Sequence, residues 1–135
     1  NPPLPSESPI LSTYQGTAWG IDVYKILAQS KIVINRHVIK HEGFSSKYAD
    51  NVRLYESTGM GCLLITDWKE NLGELFEIGK EVETYQTLDE LVEKVRYYLT
   101  HDKEREKIAK AGQARTLKDH TYKVRAKKIL EILYD

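Results

Sequence analysis

The chain has 135 residues, enough for one domain that buries roughly two thirds of the surface its unfolded form would expose. Twenty Lys and Arg balance twenty Asp and Glu, so no global field draws in nucleic acid or an anionic membrane, and a charged ligand must be gripped locally. The lone Cys62 rules out an internal disulfide, and no apolar run approaches the roughly 20 residues of a membrane span. With no signal-peptide pattern in view, the expectation is a soluble, cytoplasmic domain.

The opening NPPLPSESPIL lacks Met and is rich in Pro and Ser, so residues 1–13 read as a linker or a cut end and residues 14–135 as the folded domain. AWGIDVYKILAQS then places Ile21, Tyr24, Ile26, Leu27 and Ala28 on one side of a helix. It runs into KIVINRH, where Ile32, Val33 and Ile34 form a short buried strand. HEGFSSKYAD reads as a loop, after which Asp50 can cap a helix over about 51–59 that Gly59 and Gly61 end. CLLIT is a second continuous apolar run, a setting in which Cys62 is a small buried hydrophobe rather than a nucleophile. KEVETYQ, with Val82 and Tyr85, is a third strand toward a sheet edge.

Thr87 and Glu90 have the capping-box spacing and open a helix whose apolar stripe is Leu88, Leu91, Val92, Val95, Tyr98 and Leu99. Two more helices are expected, at about 103–118 with Ile108, Ala109 and Ala111, and at about 122–134 with Ile129, Leu130 and Leu133. His120 would end the first and Thr121 cap the second. Short apolar strands separated by helices require right-handed crossovers. The expected fold is therefore α/β, a Rossmann-like parallel sheet with helices on both faces. Three strands are clear, and ILSTY is a candidate fourth.

The stretch NVRLYESTGMGCLLITD carries the candidate site. A helix from Asn51 puts Arg53, Glu56, Ser57 and Met60 on one side, with Val52, Leu54, Tyr55 and Gly59 spread over the rest. On spacing alone, Arg53 and Glu56 form an exposed i,i+3 ion pair worth about 0.2–0.5 kcal/mol. Location offers a second reading, because ligands of open parallel sheets bind beyond the carboxyl ends of the strands, where helix N-termini favour phosphate. Asn51 and Arg53 would stand at such an N-terminus. Glu56, one turn on, could accept both hydroxyls of a ribose. The first strand empties into Asn35, Arg36 and His37, which add cationic donors for a ligand at the same edge, and the Arg36 fork suits phosphate. Gly61 would let the chain pass close to a ligand, although ending the helix explains it equally well.

Other constellations point less far. His37 and His41 have H-x-x-x-H spacing in a loop with no evident third ligand, so no metal site is expected. Gly16-x-x-x-Gly20 is not a dinucleotide fingerprint. Trp19 is a candidate ligand wall or, alternatively, a core or interdomain aromatic. Tyr97 and Tyr98 read as packing and surface residues.

Taken in order, GTAWGIDVYKILAQSKIVINRH, NVRLYESTGMGCLLITD, ELFEIGKEVETY and IAKAGQARTLKDHTYKVR resemble the C-terminal half of glycosyltransferases of the group 1 type, in the branch of CgeB-like spore proteins, over roughly residues 14–134. That resemblance implies a GT-B architecture, in which this half binds a nucleotide-sugar donor across a cleft from an N-terminal acceptor domain that has no counterpart here. It implies no cofactor and no obligatory metal, since helix dipoles and basic side chains neutralise the diphosphate. By the same resemblance Glu56 binds the nucleotide ribose, and Asn51 and Arg53 contact phosphate or sugar. Retaining relatives often carry a further Glu eight positions upstream, where this chain has Tyr48, so no catalytic residue and no stereochemical outcome is implied. The expected function is donor binding for glycosyl transfer, with little turnover by this part alone. A noncatalytic assembly domain and a nucleotide-sugar epimerase are the alternatives.

Overall fold

The computed structural model describes residues 5–37, 47–49 and 51–134. Three strands, β1 (Ile32–Asn35), β2 (Leu63–Asp67) and β3 (Glu83–Tyr85), form a parallel sheet in the order β1-β2-β3. Ile32 pairs with Leu63, and Ile65 with Glu83. Six helices accompany them: α1 (Ile21–Gln29), α2 (Arg53–Gly59), α3 (Leu72–Leu75), α4 (Leu88–Thr100), α5 (Asp102–Asp119) and α6 (Tyr122–Tyr134). This is the expected α/β, Rossmann-like arrangement. ILSTY does not supply a fourth strand; Leu11–Thr13 forms one 3-10 turn closed by local backbone hydrogen bonds. Among the described residues no helix is long and apolar enough to cross a membrane.

The side-chain period of two splits β2 between two cores. Leu64 joins Leu54, Leu72, Phe76 and Val82 on one face, while Leu63 and Ile65 join Tyr85, Tyr98, Ile108 and Ala109 on the other. The helices reach these cores through narrower stripes than the sequence suggests. On α4 only Tyr98 is buried, with Leu91 and Val95 half-buried, whereas Leu88, Val92 and Leu99 face solvent. Leu27 is the one buried residue of α1, leaving Ile21 and Ile26 exposed, and Ile129, Leu130 and Leu133 of α6 are likewise exposed.

Local chemistry sets the ends of the elements. Thr87 Oγ1 accepts from Glu90 N–H at 3.2 Å as the cap of α4, and the Glu90 carboxylate reaches back to Gln86 N–H at 2.8 Å, one residue before the cap. His120 ends α5, and Thr121 Oγ1 accepts from Val124 N–H at 3.3 Å at the start of α6. Asp50, the expected cap of α2, lies outside the described residues; α2 begins at Arg53, after Val52, with no side-chain cap. Cys62 is buried, as its apolar setting predicts, and its thiol donates to Leu27 O at 2.8 Å. Burial also pushes that thiol up from its ordinary pKa.

The second half of α5 binds the two layers together. Thr116 and Thr58 share a buried hydroxyl hydrogen bond of 2.6 Å, and Gln113 donates to Gly59 O at 3.0 Å. Gly112 lies between, where an added Cβ would press on the Glu81 carbonyl oxygen well inside contact distance. That neighbour is backbone and cannot swing away. Gly112→Ala is therefore expected to cost about 1–3 kcal/mol, read as a lower urea midpoint, despite the better helix propensity of Ala.

Candidate functional site

A cleft of about 410 Å³ opens at the carboxyl ends of all three strands. It is lined by Arg36 and His37 after β1, Asp67, Trp68 and Lys69 at the end of β2, Tyr85 and Gln86 at the end of β3, and Leu88 at the start of α4. In a parallel sheet this is the edge at which ligands gather, since each strand there hands over to a loop free to carry polar groups. Tyr85, buried, reaches past the end of β2 to donate to Asn35 O at 3.1 Å, tying β3 to β1.

Asp67 organises the polar side of the cleft. Its Oδ1 accepts from the His37 backbone N–H at 3.0 Å and from Nδ1 of the His37 ring at 2.7 Å, while Lys69 Nζ lies 3.0 Å from Oδ2. A chain of hydrogen bonds feeds the same carboxylate: Asn51 Nδ2 donates to Asn35 Oδ1, Asn35 Nδ2 to Thr66 Oγ1, and Thr66 Oγ1 to Asp67 Oδ1. Burial alone would raise the Asp67 pKa, but the hydrogen bonds from His37 and Lys69 outweigh it and hold the carboxyl below its ordinary value. An ionised carboxylate only accepts, so the proton of the 2.7 Å contact sits on His37 Nδ1. The other ring nitrogen, Nε2, is buried and has no hydrogen-bond partner among the described residues.

The residues singled out from sequence divide between places. Arg36 and His37 do line the cleft. Asn51 is joined to the end of β1 through Asn35 at 3.2 Å, so the start of α2 does stand at the carboxyl edge. Arg53 and Glu56 are not among the cleft residues. They form the i,i+3 ion pair at 3.4 Å, and the other Glu56 oxygen accepts from the Tyr24 hydroxyl of α1 at 3.2 Å. The negative charge of Glu56 and that hydrogen bond raise the Tyr24 pKa, keeping the phenol a donor. Ser57, assigned to the polar side of α2, is instead fully buried.

Gly61 is not at this edge. It follows the C-terminal end of α2 and precedes the amino end of β2, with φ +82°, and an added Cβ there would meet the Gln113 side chain at 3.2 Å. Its conformational freedom serves the turn into β2. Trp19 is 79% exposed and belongs neither to a core cluster nor to the cleft wall. His41 lies outside the described residues.

Sequence reasoning missed Asp67, Trp68, Lys69, Tyr85, Gln86 and Leu88 as one constellation. The available signal was positional: a fully buried apolar run that ends in an acid and a base faces the ligand edge of a parallel sheet.

A family model described as glycosyl transferase-like matches residues 7–131. The chain belongs to that family. No curated protein and no solved structure matches it. The cleft of this chain carries Arg36 and Lys69, the latter paired to Asp67, together with His37.

The lowered pKa fixes the sign of an acid response. Stability contributed by ionised Asp67 is complete above the ordinary carboxyl value of 3.8 and is lost as pH falls through the lower folded value. Asp67→Asn is therefore expected to lose about 1–3 kcal/mol at neutral pH. The gap between the two urea midpoints should narrow below about pH 4.

Proposed function

We propose that this chain is the donor-binding half of a GT-B glycosyltransferase, in the CgeB-like branch, which holds a nucleotide sugar for transfer to an acceptor presented by a facing domain. The observation that carries this reading is the cleft at the strand ends, with two cationic side chains, Arg36 and Lys69, in a domain of the glycosyl transferase-like family. The reaction asks the protein to stabilise a departing diphosphate, and cationic side chains at the sheet edge suit that charge without an obligatory metal. Arg36, exposed and forked, is the primary phosphate ligand. Lys69, paired to Asp67 at 3.0 Å, adds a second cation from the neighbouring strand's carboxyl end.

The ribose is assigned to Glu56 and further polar contacts to Asn51 and Arg53, at the start of α2. Both partners that Glu56 now holds are replaceable. Arg53 is a surface ion pair at 3.4 Å, and Tyr24 is part-exposed at 3.2 Å. A vicinal diol can take over both oxygens, releasing the Arg53 guanidinium toward phosphate.

Titration calorimetry of the intact protein against the diphosphates of uridine, guanosine and thymidine and their glucose esters provides the test. One nucleotide series is expected to bind, with Arg36→Ala weakening it about tenfold or more and Glu56→Gln weakening it several-fold. Unchanged affinity in Glu56→Gln would remove the ribose assignment. The Arg53–Glu56 pair is also what a noncatalytic domain of this fold would keep, and binding of none of these ligands would decide for that reading.

A further inference from the structure

Helix α6, YKVRAKKILEILY, is rich in apolar residues yet contributes no buried residue to the fold. At about 3.6 residues per turn, Tyr122, Ala126, Ile129, Leu130 and Leu133 fall along one side of it, with Ile132 and Tyr134 on the shoulders. Val124, on the opposite side, is the half-buried residue of the helix, and Arg125 stands over the Tyr55 ring at 4.4 Å. The domain thus holds α6 by its back, and the apolar stripe faces outward: Tyr122 is 88% exposed, and Ile129, Leu130 and Leu133 are each more than half exposed. A continuous apolar stripe left open in this way marks a contact surface.

The charges beside the stripe decide what that surface meets. Tyr122–Tyr134 carries four Lys and Arg against one Glu in a chain whose totals are equal, so its positive excess is balanced by a negative excess elsewhere. Lys123 and Lys127 flank the stripe on one side, Arg125 and Lys128 on the other. Lys127 pairs with Glu131 at 3.7 Å, whereas Lys123 and Lys128 are exposed and have no ion-pair partner among the described residues. Pairing with the same helix of a second copy would set this positive excess against itself. A protein groove would need carboxylates on both rims in register with the lysines. Anionic lipid headgroups are laterally mobile and meet cations on either flank without register, and the acyl chains beneath them accept the stripe. Tyr122 and Tyr134, at the two ends of α6, have the amphipathic rings that settle at headgroup level.

We propose that α6 is a membrane-surface helix, which lies in the plane of an anionic lipid leaflet with Ile129, Leu130 and Leu133 against the upper acyl chains and Lys123 and Lys128 at the headgroup phosphates. Thirteen residues are too few to cross a bilayer, so the helix lies on the surface. The long apolar stems of the two lysines let their ammonium groups reach the headgroups from beside the stripe. The remainder of the chain carries the negative excess and is repelled by the same leaflet, which turns the body of the domain away and leaves α6 as the contact. With no net charge on the whole chain, attraction is local to this helix, and the inference stands apart from the donor-binding reading.

Co-sedimentation of the whole chain with vesicles of phosphatidylcholine alone, and of phosphatidylcholine mixed with phosphatidylglycerol, tests this. The mixed vesicles are expected to bind the protein about tenfold or more tightly than the neutral ones, and added salt should release it. Leu130→Ser with Leu133→Ser, and separately Lys123→Glu with Lys128→Glu, should each weaken binding to the mixed vesicles about tenfold or more. Both double variants should melt near the wild-type temperature, since none of the four side chains is buried. No binding to the mixed vesicles, equal binding to both kinds, or binding that neither double variant weakens would overturn the proposal. A dimer that Leu130→Ser with Leu133→Ser dissolves would assign the stripe to a second copy instead, and binding of polyglutamate as tight as that of the mixed vesicles would assign it to an acidic protein. A clear fall in melting temperature for the leucine variant would also overturn it, by showing the stripe packed within the fold.

Discussion

β2 is hydrogen-bonded on both sides and packed on both faces, and Leu63, Leu64 and Ile65 have no exposed surface at all. A strand so enclosed has no tolerance for an unpaired polar side chain along its length. It can offer chemistry only where it emerges, and it emerges at Thr66 and Asp67. Thr66 is buried but spends its hydroxyl within the hydrogen-bond chain between Asn35 and Asp67. Asp67 then gathers the neighbouring strand end through His37 and the following turn through Lys69. The polarity of the cleft is thus a direct result of the apolarity of the strand beneath it.

The two ends of the sheet divide the labour. At the amino end, small residues let neighbours approach: Gly112 of α5 lies against the Glu81 backbone, Gly59 and Gly61 lie against the Thr116 and Gln113 side chains, and Thr58 and Thr116 share one hydrogen bond between α2 and α5. At the carboxyl end, long polar side chains meet over open space. Gly61 and Arg53 stand close together in sequence yet serve opposite ends, because α2 runs antiparallel to the strands it packs against, as a crossover helix of a parallel sheet must.

Much of the fold was legible because its strands are continuous apolar runs and its helices are punctuated by caps; Thr87, Glu90 and Thr121 act as their spacing predicts. The inner face of α5 was not legible, since Arg105, Gly112 and Thr116 line it alongside Ile108 and Ala109, and no hydropathy period marks an Arg or a Gly as buried. The apolar side of α1 misled for the converse reason: Ile21 and Ile26 carry the pattern of a core stripe but are exposed. At the site, Arg36 and His37 could be placed because they adjoin a strand end. The meeting of His37 with Asp67 spans thirty residues and two strands, and local spacing carries no trace of such a contact.

Among the described residues β1 pairs with β2 alone, and its Ile34 side chain is 53% exposed. The far side of β1 therefore presents a row of backbone N–H and C=O groups beside an apolar residue, which is the template on which another extended chain can lay itself down. Arg36, exposed at one end of the strand, supplies charge that discourages such additions, while Lys31 at the other end is paired to Asp102 at 3.5 Å. Salt screens an exposed charge such as that of Arg36, so the edge is less guarded at high ionic strength than at low.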